Sequence, residues 1–341
     1  MESAHKRQSN IELLRIVAIL MVIILHYLNG SMGGELQHVV PGSLNYYLSH
    51  FIESLCIIAV NVFVLITGYF SYKKTQVKVS KVVNLFLVMI FWGLLLSVVT
   101  VFWLLPQTIN FSLVKGIVEA SLSQWFVVIY SILYLLIPFI NKMINAIDEK
   151  SLRVILIINL IFFYVWPTLF TNIPDSSKGY GIVNFINLYL IGAYIHKYHD
   201  EKVKLNKLVA LYLILTVITT VFSFVAGRTY DYNSVFTLFS SVIFFEIFKS
   251  LNIGYNKTIN RLAIYTFSVY LIDVNGYFNK FLYRNLFRSN EYWNDKLMIV
   301  NLLLAVIGIY IICILLDYLR TLIFGKAFNY LSNKVKLKIG K

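Results

Sequence analysis

Charged side chains are scarce in this sequence. They make up 13% of its 341 residues, against 59% hydrophobic, where a soluble globular chain carries about 25% charged. The shortage excludes an ordinary water-facing surface and fits a protein solvated mostly by lipid. Cysteine is scarcer still: Cys56 and Cys313 are the only two, both inside apolar runs. They read as small core residues and exclude a disulfide framework or a cysteine metal cage. An A-x-A-like cleavage site is also lacking. The first apolar run follows Lys6 and Arg7 and reaches about Tyr27, so it reads as a retained span and not as a signal peptide.

What is present is a succession of long apolar runs. A spanning helix needs about 20 mostly apolar residues. Such segments are expected near Ile11–Asn29, Tyr47–Phe70, Val82–Leu104, Gln124–Ile144 and Leu152–Phe170. Five more are expected near Ile182–Tyr198, Leu205–Ala226, Asn233–Leu251, Leu262–Tyr283 and Leu297–Phe324. Strands do not explain runs this long, because only helices or closed barrels satisfy the backbone in lipid. The expected fold is therefore an all-α integral membrane protein of about ten transmembrane helices. It forms one membrane domain over residues 1–341, with no room for an extra soluble domain. Ser9 and Glu12 have capping-box spacing at the first span. Turn signals fall at Gly33-Gly34, Pro41-Gly42 and Pro174–Gly181.

The positions of lysine and arginine set the expected orientation. Of thirty such residues, twenty-two fall on one side of this layout. They include Lys6 and Arg7, the group Lys73, Lys74, Lys78 and Lys81, Lys202, and the tail from Arg320 to Lys341. Seven fall on the other side, and Arg15 lies within a span. By the positive-inside rule both termini face the cytoplasm. The net charge of +14 thus reports topology, and no nucleic-acid partner is implied.

An ionisable group inside a span costs at least about 2.5 kcal/mol at its centre, so each one is a functional candidate. Arg15 and His26 stand out. They are eleven residues apart, close to three turns, and therefore share one face over about 16 Å of helix. The bland alternative is a snorkelling arginine and a histidine bonded to a neighbouring carbonyl. The surrounding residues weigh against it. Asn10–Tyr27, NIELLRIVAILMVIILHY, resembles the opening of the membrane-bound acyltransferase-3 family, whose signature is an Arg, ten residues and a His. Asn61–Phe70, NVFVLITGYF, resembles its second-span motif, with Thr67 in place of the usual Ser. Gln124–Asn141 resembles the family's Trp-Phe span, and Leu188–Tyr194, LYLIGAY, its small-residue span. Tyr265–Asp273, YTFSVYLID, resembles a motif that commonly closes with His; Asp273 stands there instead, so no role is carried over from that His.

This resemblance implies O-acyl transfer, usually of acetyl, from cytoplasmic acyl-CoA to a sugar hydroxyl. The implied acceptor is a capsular polysaccharide, exopolysaccharide or other envelope glycan, polymeric or lipid-linked. The implied location is the plasma membrane, in contact with its lipids. Such chemistry needs a base for the hydroxyl proton and help for the developing oxyanion. His26 suits the base, or a transient acyl carrier. Arg15 presents a planar donor fork to a phosphate or a thioester oxygen. Lys73, Lys74, Lys78 and Lys81 are candidates for the coenzyme's phosphates, although ordinary positive-inside charge explains any one of them. Trp125, Tyr130 and Tyr134 are candidates to line an acceptor or acyl path. His196 and His199 lack the companions a metal site needs, and no metal is expected.

Glu53 and Asp273 are rival carboxylates to orient His26. Glu53 is preferred because hairpin neighbours are usually adjacent in space, which leaves Asp273 as a substrate contact. Glu246, nearer the cytoplasmic half, is a candidate partner of Arg15 instead. Two other functions compete. A transporter or flippase of a lipid-linked or acylated sugar also buries ionisable residues, but no paired, broken helices recur in two halves. A glycan polymerase would show a large outer loop, which is absent.

Overall fold

The computed structural model describes residues 7–170, 177–199, 201 and 203–340. Lys6, Lys202, Lys341 and the Pro174 end of the third turn signal lie outside the described residues.

The apolar runs fold as helices, each satisfying its own backbone. The first half of the chain gives α1 (Ser9–Leu28), α2 (Glu35–His38), α3 (Leu44–Cys56), α4 (Ala59–Ser71), the strand β1 (Val77–Lys78) and α5 (Val79–Val99). After a π turn at Thr100–Leu104 come α6 (Phe111–Leu122), α7 (Trp125–Ala146) and α8 (Glu149–Leu160). A second π turn leads into α9 (Trp166–Leu169), followed by α10 (Ile182–Tyr198), α11 (Leu205–Ser223) and α12 (Val235–Ser250). Then follow α13 (Lys257–Leu262), α14 (Thr266–Asp273), α15 (Phe278–Lys280), α16 (Ser289–Tyr292), α17 (Met298–Asn333) and β2 (Lys338–Ile339).

Among the described residues, seven helical stretches are long and apolar enough to cross a bilayer. They match seven of the ten expected segments. The others differ for physical reasons. Helices α10 and α12 have 17 and 16 residues, about 26 and 24 Å at the α-helical rise. The segment expected at Leu262–Tyr283 is interrupted between α14 and α15 by Val274–Tyr277. The expected span from Gln124 is preceded by α6, twelve residues that had read as loop. Only Ser123 and Gln124 separate α6 from α7. The expected capping box does not form. Ser9 Oγ accepts from the Asn256 amide at 2.8 Å and donates to Asn260 at 3.2 Å, while Glu12 turns toward Arg15.

The chain forms two compact units. One comprises Met1–Met21, Ser54–Thr75 and Phe139–Thr266; the other comprises Val22–Glu53, Gln76–Pro138 and Phe267–Lys341. In the first unit α4 and α10 pack backbone to backbone. A Cβ added at Gly68 would lie 2.2 Å from the Tyr189 carbonyl oxygen, and one at Gly192 would lie 2.3 Å from that of Leu65. Small residues permit such close approach where dispersion contacts hold helices together. Asn141 ties α7 to the end of α4 by donating to the carbonyls of Ser71 and Lys74 at 2.7 and 2.8 Å. Exposed Ile157, Ile158, Leu213 and Ile214 on α8 and α11 suit contact with lipid.

In the second unit α6 folds back against α5, with Ser121 so close that a Cβ at Gly93 would lie 2.5 Å from its Cα. Trp92 donates from α5 to Asp317 of α17 at 3.2 Å. The strands β1 and β2 pair antiparallel, with Val77 opposite Ile339.

Candidate active site

His26 lies near the C-terminal end of α1, in the second unit. Its Nδ1 is 2.6 Å from Asp273 Oδ2. The other Asp273 oxygen accepts from the Tyr283 hydroxyl, also at 2.6 Å, and that hydroxyl lies 3.2 Å from the Ile23 carbonyl oxygen. Asp273 is fully enclosed, whereas the His26 side chain keeps 15% exposure. A carboxylate accepting from two donors fixes the imidazole with its hydrogen on Nδ1, leaving the Nε2 lone pair for another proton.

The chain places Asp273 there by ending a helix on it. Asn275 stabilises the interruption that follows. Its Nδ2 contacts the Gly93 carbonyl at 3.3 Å and Ser97 Oγ at 3.2 Å. Its Oδ1 accepts from the amides of Tyr277 and Phe278 at 3.2 and 3.0 Å. Non-helical backbone at membrane depth requires such protein partners. One turn before Asp273, Tyr270 meets Phe126 of α7 at 5.5 Å between ring centroids. Phe126 stacks with Tyr130 at 5.7 Å and meets Trp125 edge-on at 5.9 Å. Two of the expected aromatic candidates, Trp125 and Tyr130, thus connect to the helix that carries Asp273 through Phe126. The third, Tyr134, is buried and interacts with the Lys78 main chain.

The loop after α1 is clamped to the segment before α17. Arg284 donates to the carbonyls of Met32 and Gly30 at 2.7 and 2.8 Å. Trp293 donates to Gly33 at 3.0 Å and stacks on His38 at 3.8 Å. Gly34 sits at φ 93°, a conformation that suits glycine. Glu35 is wholly enclosed, and burial pushes its carboxyl up to about 8, partly offset by Ser49.

Three readings of the sequence differ from the structure. Asp273, not Glu53, is the hydrogen-bond partner of His26; Glu53 keeps an enclosed Oε2 with no such partner among the described residues. With both oxygens engaged and no exposure, Asp273 is also not positioned as a direct substrate contact. Adjacency in a hairpin does not decide the pairing, because α14, more than two hundred residues away in sequence, supplies the carboxylate. Glu246 likewise pairs with Lys249, at 3.0 Å. Arg15, in the first unit, is 38% exposed and pairs loosely with Glu12 at 3.9 Å. Among the described residues its guanidinium makes no hydrogen bond, which leaves its donor fork available.

Lys73 and Lys74 also belong to the first unit. Lys73 lies 5.4 Å from the Tyr72 ring centroid, and Lys74 donates to Ser71 at 2.9 Å. Lys81 is exposed on the first turn of α5 in the second unit. His196 packs against the rings of Tyr69 and Tyr72. Sequence reasoning missed Tyr283, Asn275 and Arg284. Asn275 carried a signal, a polar side chain within an expected span; Tyr283 carried none.

A family profile described as an acyltransferase domain matches residues 8–318. No curated protein and no solved structure matches the chain. The match covers α1 with its Arg–His pair, the helix bearing Asp273 and most of α17. The chain is a multi-pass membrane protein that belongs to the acyltransferase-3 family.

Proposed function

We propose that the protein transfers an acyl group, acetyl by preference, from cytoplasmic acyl-CoA to a sugar hydroxyl of an envelope glycan. The observation that carries this reading is the His26–Asp273–Tyr283 chain, with both bonds to the carboxylate at 2.6 Å. His26 Nε2 removes the acceptor hydroxyl proton as the oxygen attacks the thioester carbonyl. The tetrahedral intermediate collapses with cleavage of the carbon–sulfur bond, and the imidazolium returns the proton to the departing thiolate. Asp273 stabilises the imidazolium between these steps and holds the ring in one tautomer. Arg15 engages the donor, with Lys73, Lys74 and Lys81 meeting the coenzyme's phosphates. Trp125, Tyr130 and Tyr134 line the acceptor or acyl path.

The proposed topology has ten crossings of the plasma membrane and both termini in the cytoplasm. Helices α10 and α12 and the interrupted α13–α15 segment supply the three crossings beyond the seven long helices. A reporter fused after Lys341 is expected to read cytoplasm, and one inserted near Gly34 to read the outside.

The interruptions at Ser123–Gln124 and Val274–Tyr277 give some support to a flippase, since carriers build sites from discontinuous helices. Both fall in one unit, however, whereas inverted-repeat carriers place one in each half. Mass analysis of the host's envelope glycan, with and without this protein, separates the readings. Loss of ester-linked acyl groups at normal polymer length supports the transferase. Accumulated lipid-linked intermediate supports the flippase, and shortened chains a polymerase.

A further inference from the structure

We infer that the β1–β2 ribbon is a phosphate clamp for the donor coenzyme, formed by Lys78, Lys81, Lys334, Lys336 and Lys338. The inference rests on the acyl-CoA reading above and adds a part of the chain that lies outside the family match, which ends at residue 318.

The ribbon places Lys78 directly opposite Lys338. Like charges facing each other across a strand pair destabilise it. The two strands nonetheless pair, and the Val79 amide extends the contact by donating to the Leu337 carbonyl at 3.0 Å. Side chains alternate between faces along a strand. Val77 turns inward at 2% exposure, while Lys78 and Lys338 are exposed. Lys81, Lys334 and Lys336, which flank the two strands in sequence, are exposed as well. Neither flanking sequence offers an acidic side chain: none occurs among residues 54–118 or 318–341. The lysine face therefore has no acidic neighbour in its own chain segments.

Positive-inside charge requires lysines near the ends of spans. It does not require two of them paired in register by a tail that returns to a distant loop. An anion with several phosphate groups explains the arrangement, because it neutralises both strands at once. Coenzyme A carries a diphosphate and a separate phosphate monoester, and lysine ammonium groups bind such oxygens as point charges. Anionic lipid headgroups offer the same phosphate chemistry, so the test must separate the two sources.

The full-length protein, in nanodiscs of zwitterionic lipid, is titrated with coenzyme A. The triple variant K334Q/K336Q/K338Q is expected to bind about tenfold more weakly, at about half a kcal/mol per lost exposed contact, and with a shallower salt dependence. The corresponding Lys→Arg triple variant is expected to restore binding, which distinguishes lost charge from a disturbed ribbon. K326Q, a change on α17 outside the ribbon, is expected to bind as the unmodified protein does. Equal affinity of the unmodified protein and the Gln triple variant overturns the clamp while leaving the donor reading intact. So does a loss that appears only in nanodiscs containing anionic lipid, which assigns the lysines to headgroups. Failure of the Arg variant to restore binding overturns the role of charge. If the unmodified protein does not bind coenzyme A at all, the clamp and the donor reading fail together.

Discussion

Arg15 and His26, both on α1, are held in opposite ways. His26 is bonded at 2.6 Å to a carboxylate with no exposure. Arg15 is 38% exposed, and its one ion pair, to Glu12, is loose at 3.9 Å. A group that must move a proton in a fixed direction benefits from a rigid, fully bonded partner. A group that must accept a mobile anion benefits from unspent donors. The helix therefore carries a preorganised end and an open end, a difference that residue spacing alone does not reveal.

The largest expected effect tests the preorganised end. His26→Ala should lower acyl transfer by about a thousandfold, with normal membrane abundance, measured as ester release from the glycan. Undiminished ester would show that the bonded histidine is structural. Asp273→Asn should follow with about a hundredfold loss in turnover and unchanged donor affinity. Glu53→Gln serves as its control and should change turnover less than about threefold, the range of a substitution away from the reacting groups. Equal losses for the two carboxylates would erase the distinction drawn here.

Arg15→Lys tests the open end. It should weaken acyl-CoA binding by about tenfold through loss of the bidentate fork, with a smaller effect on turnover, as read by binding to purified protein. An effect on turnover alone would move Arg15 from binding to chemistry.

The smallest expected effect concerns the clamped loop beside the preorganised end. Burial raises the Glu35 carboxyl from 4.5 to about 8. Between those values the folded protein holds a proton that the unfolded chain has released, so this group's contribution to stability falls as pH rises and levels off above about pH 8. Glu35→Gln removes that dependence. Its Tm in detergent should match the parent near pH 4.5 and exceed it by a few degrees near neutrality. Parallel Tm curves across that range would place the carboxyl in contact with water.

The sequence disclosed what depends on long apolar runs. The helices from Ser9, Leu44, Val79, Trp125, Glu149, Leu205 and Met298 fall where hydropathy put them, because lipid leaves a continuous apolar chain few alternatives. It did not disclose the interruption after Asp273, since Val274–Tyr277 lies within an otherwise apolar segment and depends on Asn275 reaching Gly93 and Ser97. Helix α6 was hidden because twelve residues with two charges read equally well as loop. The spacing of Arg15 and His26 singled out α1 as the helix with two ionisable groups on one face. The partner of His26 depended on tertiary contact between α1 and α14, and adjacency along the chain favoured the wrong carboxylate.

The backbone contact of α4 with α10 bears on how genetic surveys of this protein should be read. Gly68 and Gly192 have no chemistry to contribute, yet any side chain at either position meets a carbonyl oxygen within 2.3 Å. In a saturation screen scored only by glycan acylation, both positions would be as intolerant as His26, and a ranking by intolerance would enrol them in the active site. Quantifying the protein in the membrane for each variant would separate the two classes. Glycine replacements should deplete the protein itself, whereas replacements at His26 should leave an abundant, inserted and inactive chain.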